Sequence, residues 1–184
     1  MTTELGLDIE TTGLLDPDHR IIELYFQGRK NGVKIFEWET RINPKRSITA
    51  EAQRVHGIDF TDLVGKPTFE DVAKTVHAII SKFDVMIAHN GIGFDWPFIE
   101  MELKRCGLVI PDKPVVDTMI EGVWATPDGK KPSLAELCFA TGIDYDPSKA
   151  HAASYDVEVM LDAYDIGRKL NFFSDPGLAT AIAA

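Results

Sequence analysis

Apolar and polar positions change their period along this chain. Residues 4–9, 20–28 and 33–42 carry short β-branched and aromatic runs, notably Ile21, Ile22, Leu24, Tyr25 and Phe26, then Val33, Ile35, Phe36 and Trp38, which predicts three strands. Gly28-Arg29-Lys30-Asn31-Gly32 has the composition of a turn and would join the last two as a hairpin. Beyond this the pattern turns helical. A short helix is predicted over 49–55, ended by Gly57, and a longer one after Pro67, capped by Thr68 with Val72, Val76, Ile79 and Ile80 on one stripe.

Val85-Met86-Ile87-Ala88 reads as a buried strand that leads through His89-Asn90-Gly91 into a helix over 96–106. Pro97 falls in that helix's first turn, where its missing N–H costs nothing. Val115-Val116 makes a fifth strand, followed by helices near 117–124, 133–141 and 153–170. Three strands followed by alternating helices and strands specify an α/β fold, a five-stranded mixed β-sheet flanked by α-helices. No repeat, low-complexity segment or linker divides it. Residues 1–175 are therefore expected to form a single domain, with 176–184 a short C-terminal tail that frays from Gly177 to Ala184.

Composition adds few constraints. The chain has 184 residues, 45% hydrophobic and 26% charged, enough for a sizeable core, and no run of about 18 apolar residues or signal-like N-terminus, so no membrane partner and a cytoplasmic location are expected. Cys106 and Cys138 are far apart and without a Cys/His cluster, so they read as reduced, packed thiols. A net charge of −10 argues against a general polyanion binder. It leaves a phosphate substrate open, because bound cations can reverse the local sign. The basic groups at Lys34, Arg41, Lys45 and Arg46, and at Lys130 and Lys131, read as solvated loop charge.

The chemistry starts at Asp8-Ile9-Glu10-Thr11-Thr12-Gly13-Leu14. Side chains at i and i+2 of a strand project from one face, roughly 6–7 Å apart, so two acids there repel unless a cation lies between them. Open, oxygen-rich sites suit Mg²⁺ or Mn²⁺, which accept substrate phosphates as further ligands; two solvated acids on an edge strand are the alternative. Asp95 lies where a buried strand hands over to a helix, placed either to reach the carboxyl edge of the sheet or to cap the helix. His151 and Asp156, five residues apart, would diverge on one helix and converge only if His151 precedes it; Pro147-Ser148-Lys149 upstream permits that. Val157, Met160, Leu161 and Tyr164 lie at helical spacing, which places Asp156 beside a buried stripe where a carboxylate wants a partner. Two-metal phosphoryl transfer would use these residue types together, carboxylates to hold the ions and a histidine to deprotonate water.

With these motifs the chain resembles a DEDDh 3′→5′ exonuclease of the DnaQ-like, proofreading-subunit-like group in the RNase H-like superfamily. Asp8 to Leu14 resembles the first exonuclease motif, Ala88-His89-Asn90 with Phe94-Asp95 and Phe98 the second, and His151 with Asp156 the third. Asn43-Pro44 with Ile48, Glu51-Ala52, Val55-His56-Gly57-Ile58, Asp117-Thr118, and Ser133-Leu134-Leu137-Cys138 with Gly142-Ile143 extend the likeness over about residues 4–168. It implies Asp8, Glu10 and Asp156 as direct ligands of two Mg²⁺ or Mn²⁺ ions, Asp95 as a ligand acting largely through water, and His151 as general base. A tyrosine variant of the family carries Tyr four residues before the last Asp; Ala152 stands there, which favours the histidine class.

The same resemblance implies that Thr11, Thr12 and Leu14 line the pocket for the terminal nucleotide, while Gly13 serves the turn. Asn90 would contact substrate or fix its own loop, and His56 would meet a phosphate or base or make a turn contact. Phe94, Trp96 and Phe98 read as core, with stacking on a base as the alternative for the cluster; Phe94 is the candidate substrate contact among them. The implied reaction is water attack on the terminal phosphodiester of single-stranded or frayed DNA 3′ ends, releasing nucleoside 5′-monophosphates in proofreading or repair. A polymerase partner in trans is allowed. An RNA-trimming exoribonuclease or oligoribonuclease, or an inactive nucleic-acid-binding module of the same fold, are the alternatives.

Overall fold

The computed structural model describes residues 2–174; the expectation for a fraying tail over 176–184 lies outside them. Strand β1 (Thr3–Thr11) is central in the five-stranded sheet, antiparallel to β2 (Ile21–Lys30) and parallel to β4 (Val85–Ala88). β3 (Val33–Arg41) flanks β2, and β5 (Val115–Asp117) lies parallel beyond β4, giving the order β3-β2-β1-β4-β5. The sheet is therefore mixed, and the carboxyl ends of β1, β4 and β5 share one edge.

The hairpin is tighter than its composition suggests. Only Asn31 and Gly32 turn, both in the left-handed region with φ of 53° and 74°, which matches the twist of a two-residue hairpin. Gly28, Arg29 and Lys30, expected in the turn, belong to β2. Arg29 is buried there, its guanidinium bonded to Asp162 and Asp165 at 2.7 and 3.0 Å.

Two cores sandwich the sheet. On one face Leu5, Leu7 and Ile9 of β1 pack with α2 (Phe69–Lys82) and α3 (Asp95–Arg105) through Val76, Ile80, Phe98 and Ile99. On the other, Val85, Ile87 and Val116 meet α4 (Leu134–Thr141) and α5 (Ala153–Lys169) through Leu137, Val157, Leu161 and Tyr164. Strand alternation then decides the chemistry. With the odd residues of β1 committed to the first core, Gly6, Asp8 and Glu10 face the side of α5.

A short α1 (Ala50–His56) ends at Gly57 in the left-handed conformation, and Asp71 reaches back to the Thr68 N–H and hydroxyl at 2.8 and 2.7 Å to start α2. The helix expected near 117–124 does not form as an α-helix: Asp117 ends β5, a turn follows, and Glu121–Ala125 is a 3-10 helix. The Asp117 carboxylate captures the N–H groups of Met119 and Ile120 at 3.0 and 3.1 Å, which holds the chain in a turn there. Phe60–Leu63 and Pro147–Lys149 are further 3-10 turns. No helix among the described residues is long and apolar enough to cross a membrane.

Candidate active site

Three separate segments bring carboxylates to the carboxyl edge of the sheet. Asp8 and Glu10 come from the end of β1, Asp95 is the first residue of α3, and Asp156 lies in the first turn of α5. They line one cavity of about 560 Å³, joined by His151 and Asn90. The cap reading of Asp95 fails: Phe94 holds the cap position, and the Asp95 side chain is 3% exposed.

Packing the acids together changes their proton affinity. Burial raises the Asp8 carboxyl well above the ordinary carboxylate range, and the charges of Asp95, Glu10 and Asp156 push the same way. Glu10 is pushed up to about 8 by burial and then by Glu23, its direct cross-strand neighbour, with Asp156 and Asp95 adding to it. Arg41 neutralises Glu23 in part, its Nε 2.9 Å from Glu23 Oε1. Asp95 is raised to about 7 by burial, against the opposing pull of the Asp95 and Ile9 N–H groups. Burial also raises Asp156, while the His151 N–H opposes it.

His151 precedes α5, as convergence requires. Its backbone sits in the left-handed region at φ 64°, and its N–H donates to Asp156 Oδ2 at 2.8 Å, leaving the side chain exposed. Asp156 Oδ1, on the other side of the carboxylate, is buried without a hydrogen-bond partner in the protein. A buried, unsatisfied carboxylate oxygen amid three other acids is a costly arrangement unless a cation occupies the site. Among the described residues no three His, Cys, Asp or Glu side chains already close around one point. The all-oxygen donor set nonetheless fits hard divalent cations such as Mg²⁺ or Mn²⁺, which complete their shells with water and phosphate.

A smaller, largely apolar cavity of about 230 Å³ adjoins the first, with Glu10 and Phe94 lining both. Leu14, 81% exposed, stands at its rim, and Thr11, Ala52, Val55 and His56 complete much of its wall. The Thr11 hydroxyl is turned to the Gly13 carbonyl at 2.6 Å. His56 Nδ1 accepts the Ile58 N–H at 3.0 Å, and burial pushes its ring downward in pKa, opposed by the Thr11 backbone, so a neutral ring closes the wall. Phe94 packs edge-on to the buried Phe98 with centroids 5.1 Å apart, and Trp96 is packed on the same core.

Thr12 is not part of this wall. It is fully buried, its hydroxyl 2.9 Å from His19 Nδ1 and accepting the Arg20 N–H at 3.0 Å, so it ties down the 16–20 loop instead of meeting a ligand. Asn90 does reach the larger cavity from a left-handed position at φ 68°, while its own N–H donates to Asp117. Val55 and Ala52 also line the pocket, although the sequence marks them only as part of the family motif. An exposed valine on a short, otherwise polar helix was the available signal.

The family model described as Exonuclease, of RNase T type, matches residues 5–164. DNA polymerase III subunit epsilon of Pasteurella multocida is 33% identical over 175 residues, covering 89% of this chain and 67% of its own. The PolC-type DNA polymerase III of Halalkalibacterium halodurans is 34% identical over 151 residues, covering 82% of this chain. The chain spans about a tenth of the length of that polymerase. Among solved structures, Escherichia coli exonuclease I in complex with a dT13 oligonucleotide superimposes with a TM-score of 0.77 at 18% identity, covering 91% of this chain and 41% of the other. The zinc-bound exonuclease I–ssDNA complex gives 0.79 at 17% identity, over 92% and 41%. These likenesses establish an RNase H-like fold.

Proposed function

Because this chain belongs to the exonuclease family, we propose that it is a 3′→5′ exonuclease that hydrolyses the terminal phosphodiester of single-stranded or frayed DNA and releases nucleoside 5′-monophosphates. The observation that carries this reading is the meeting of four acids from β1, α3 and α5 in one cavity that opens beside an apolar pocket. Relatives named as parts of DNA polymerase III, and a structural neighbour solved with DNA oligonucleotides, favour DNA over RNA and allow a polymerase as partner in trans.

Asp8, Glu10 and Asp156 would hold two Mg²⁺ or Mn²⁺ ions directly, with Asp95 acting through water. The bound cations supply charge stabilisation for the attacking and leaving oxygens. His151, exposed at the cavity rim, takes the proton of the attacking water, a task suited to an imidazole near neutral pH. Leu14, Val55 and Phe94 offer apolar surface to the base of the terminal nucleotide, and Asn90 contacts the strand from the lining of the larger cavity. Residues 1–175 constitute the catalytic unit.

A product assay on 5′-labelled DNA and RNA oligomers of one sequence, with Mg²⁺, Mn²⁺ or chelator, tests this. Metal-dependent shortening of DNA from the 3′ end, abolished by Asp8→Ala, is expected. Full activity in chelator or in Asp8→Ala would overturn the two-metal chemistry, and preferential loss of the RNA would move the substrate to RNA.

A further inference from the structure

Asp117 is 1% exposed, close to the catalytic cavity, and bonded to no cation among the described residues; its carboxylate is satisfied by backbone instead. Oδ1 accepts N–H groups from Asn90 at 3.1 Å, Met119 at 3.0 Å and Ile120 at 3.1 Å, and Oδ2 accepts that of Ile92 at 3.0 Å. Two of these donors follow β5 and two lie in the turn between β4 and α3. One side chain therefore fastens together loops 25 or more residues apart in sequence. Four donors use most of a carboxylate's accepting capacity, so this acid is spent on the loops.

Thr118 adds a second link. Its N–H and hydroxyl both donate to the Ala88 carbonyl, at 2.9 and 3.2 Å, and its oxygen lies 3.0 Å from His89 Nδ1. Asn90, between these fastenings, turns the chain at φ 68°, a left-handed conformation that asparagine tolerates better than most residues, and the two links hold the turn it makes in place. Asn90 and Met119 both line the cavity of the four acids.

We infer that Asp117 is a positioning residue for the reaction: it clamps the Asn90–Ile92 turn to the turn after β5 and so fixes the wall of the cleft that grips the substrate strand. The inference rests on the exonuclease reading for what that wall does, while the clamp itself is a matter of geometry. Charge-assisted bonds from backbone N–H to carboxylate are the strong kind, so losing them should free both turns together.

Asp117→Ala removes all four bonds; Asp117→Asn keeps an oxygen for the three donors on Oδ1 but sets an NH₂ against the Ile92 N–H. Two readouts apply to both variants. By hydrogen exchange, the amides of Asn90, Ile92, Met119 and Ile120 are expected to exchange faster together, by about 100-fold in Asp117→Ala and less in Asp117→Asn, with β1 and α5 unchanged. By steady-state kinetics on a DNA oligomer, KM rises about tenfold in Asp117→Ala with kcat within about threefold, partly restored by Asn, and adding Asn90→Ala to Asp117→Ala costs no more than the worse single change. Retained amide protection, unchanged KM, or multiplicative effects in the double variant would each overturn the inference. If Asp117→Ala does not fold, Asp117→Asn carries both tests. Released amides in a chain whose wild type cleaves no 3′ end would overturn the exonuclease reading and leave the clamp standing.

Discussion

His151 is joined to Asp156 through its backbone: the His151 N–H donates to Asp156 Oδ2 at 2.8 Å, and the side chain is left exposed. Positioning of the acid is thereby separable from the water activation proposed for the His151 ring. His151→Ala keeps the N–H, so Asp156 should hold its place and Mn²⁺ should bind within about threefold of wild type, while kcat falls by about 10²–10⁴, the usual worth of a general base. Calorimetric Mn²⁺ titration beside single-turnover kinetics separates the two effects. Parallel loss of metal binding would make His151 a structural residue instead.

Glu10 and Asp95 are pushed up to about 8 and about 7 and Asp8 is raised as well, whereas carboxyls in an unfolded chain titrate near 4. The sign follows from linkage. A carboxyl whose folded pKa is raised contributes stability that is full below the unfolded pKa and is lost as pH rises from about 4 through the folded value. In chelator, the melting temperature should therefore fall from pH 5 toward pH 8–9. Divalent cations need the ionised acids, so the gain in melting temperature on adding Mn²⁺ should be larger at pH 8.5 than at pH 5.5. Equal gains at both values would show that these acids are not where the metal binds.

The apolar pocket makes a claim about binding alone. Leu14 is exposed at its rim, and burying a leucine against a base is worth about 1.5–3 kcal/mol. Leu14→Ala keeps only one carbon of that side chain, so most of the contact is lost and KM for a DNA oligomer should rise roughly 10–100-fold with kcat little changed. Thr12→Val is the contrast: it removes the acceptor of the Arg20 N–H and the partner of His19, so it should cost about 1–3 kcal/mol of stability and leave KM alone. Michaelis kinetics and denaturant melts on the two variants decide this.

Most of the sheet was readable because runs such as Ile21 to Phe26 and Val85 to Ala88 are apolar over strand length and bounded by turn residues, and the order of the strands allowed a mixed sheet. What escaped depends on partners distant in sequence. Arg29 looks like turn material until Asp162 and Asp165 of α5 are placed beside it. The segment after Val116 turns at 118–120 and winds only into a short 3-10 helix, because the Asp117 carboxylate that could cap a helix there is shared with the N–H groups of Asn90 and Ile92, far away in sequence. That Asp8, Glu10, Asp95, His151 and Asp156 would meet in one cavity was legible, since they lie toward the end of β1 or around the starts of α3 and α5, at one edge of the sheet. Thr12 was misplaced by likeness because its direction is set by His19 and Arg20, which no spacing in the motif encodes.

Gly6 decides how close α5 comes to β1. A Cβ there would lie 2.7 Å from Leu161 Cδ1 and 2.9 Å from Val157 Cγ1, well inside van der Waals contact. Val157 is buried, adjoins Asp156 and, being β-branched, has little rotameric freedom in a helix, so any methyl at position 6 pushes α5 outward where it carries that acid. Asp8 lies two residues on from Gly6 on the same face of β1, so the displacement opens the gap between Asp8 and Asp156 directly. Overpacking of this kind costs about 1–3 kcal/mol, and a shift near 1 Å at reacting groups can cost about 10²-fold in rate. Gly6→Ala should therefore lower kcat by more than about tenfold while the protein stays folded at 25 °C, and Gly6→Val should do worse on both counts. Leu161→Ala added to Gly6→Ala makes room for the methyl and should recover part of kcat even though the second change deletes core volume. A Gly6→Ala chain with wild-type kcat, or a double variant slower than the single, would show that the spacing of β1 and α5 does not set the distance between the acids.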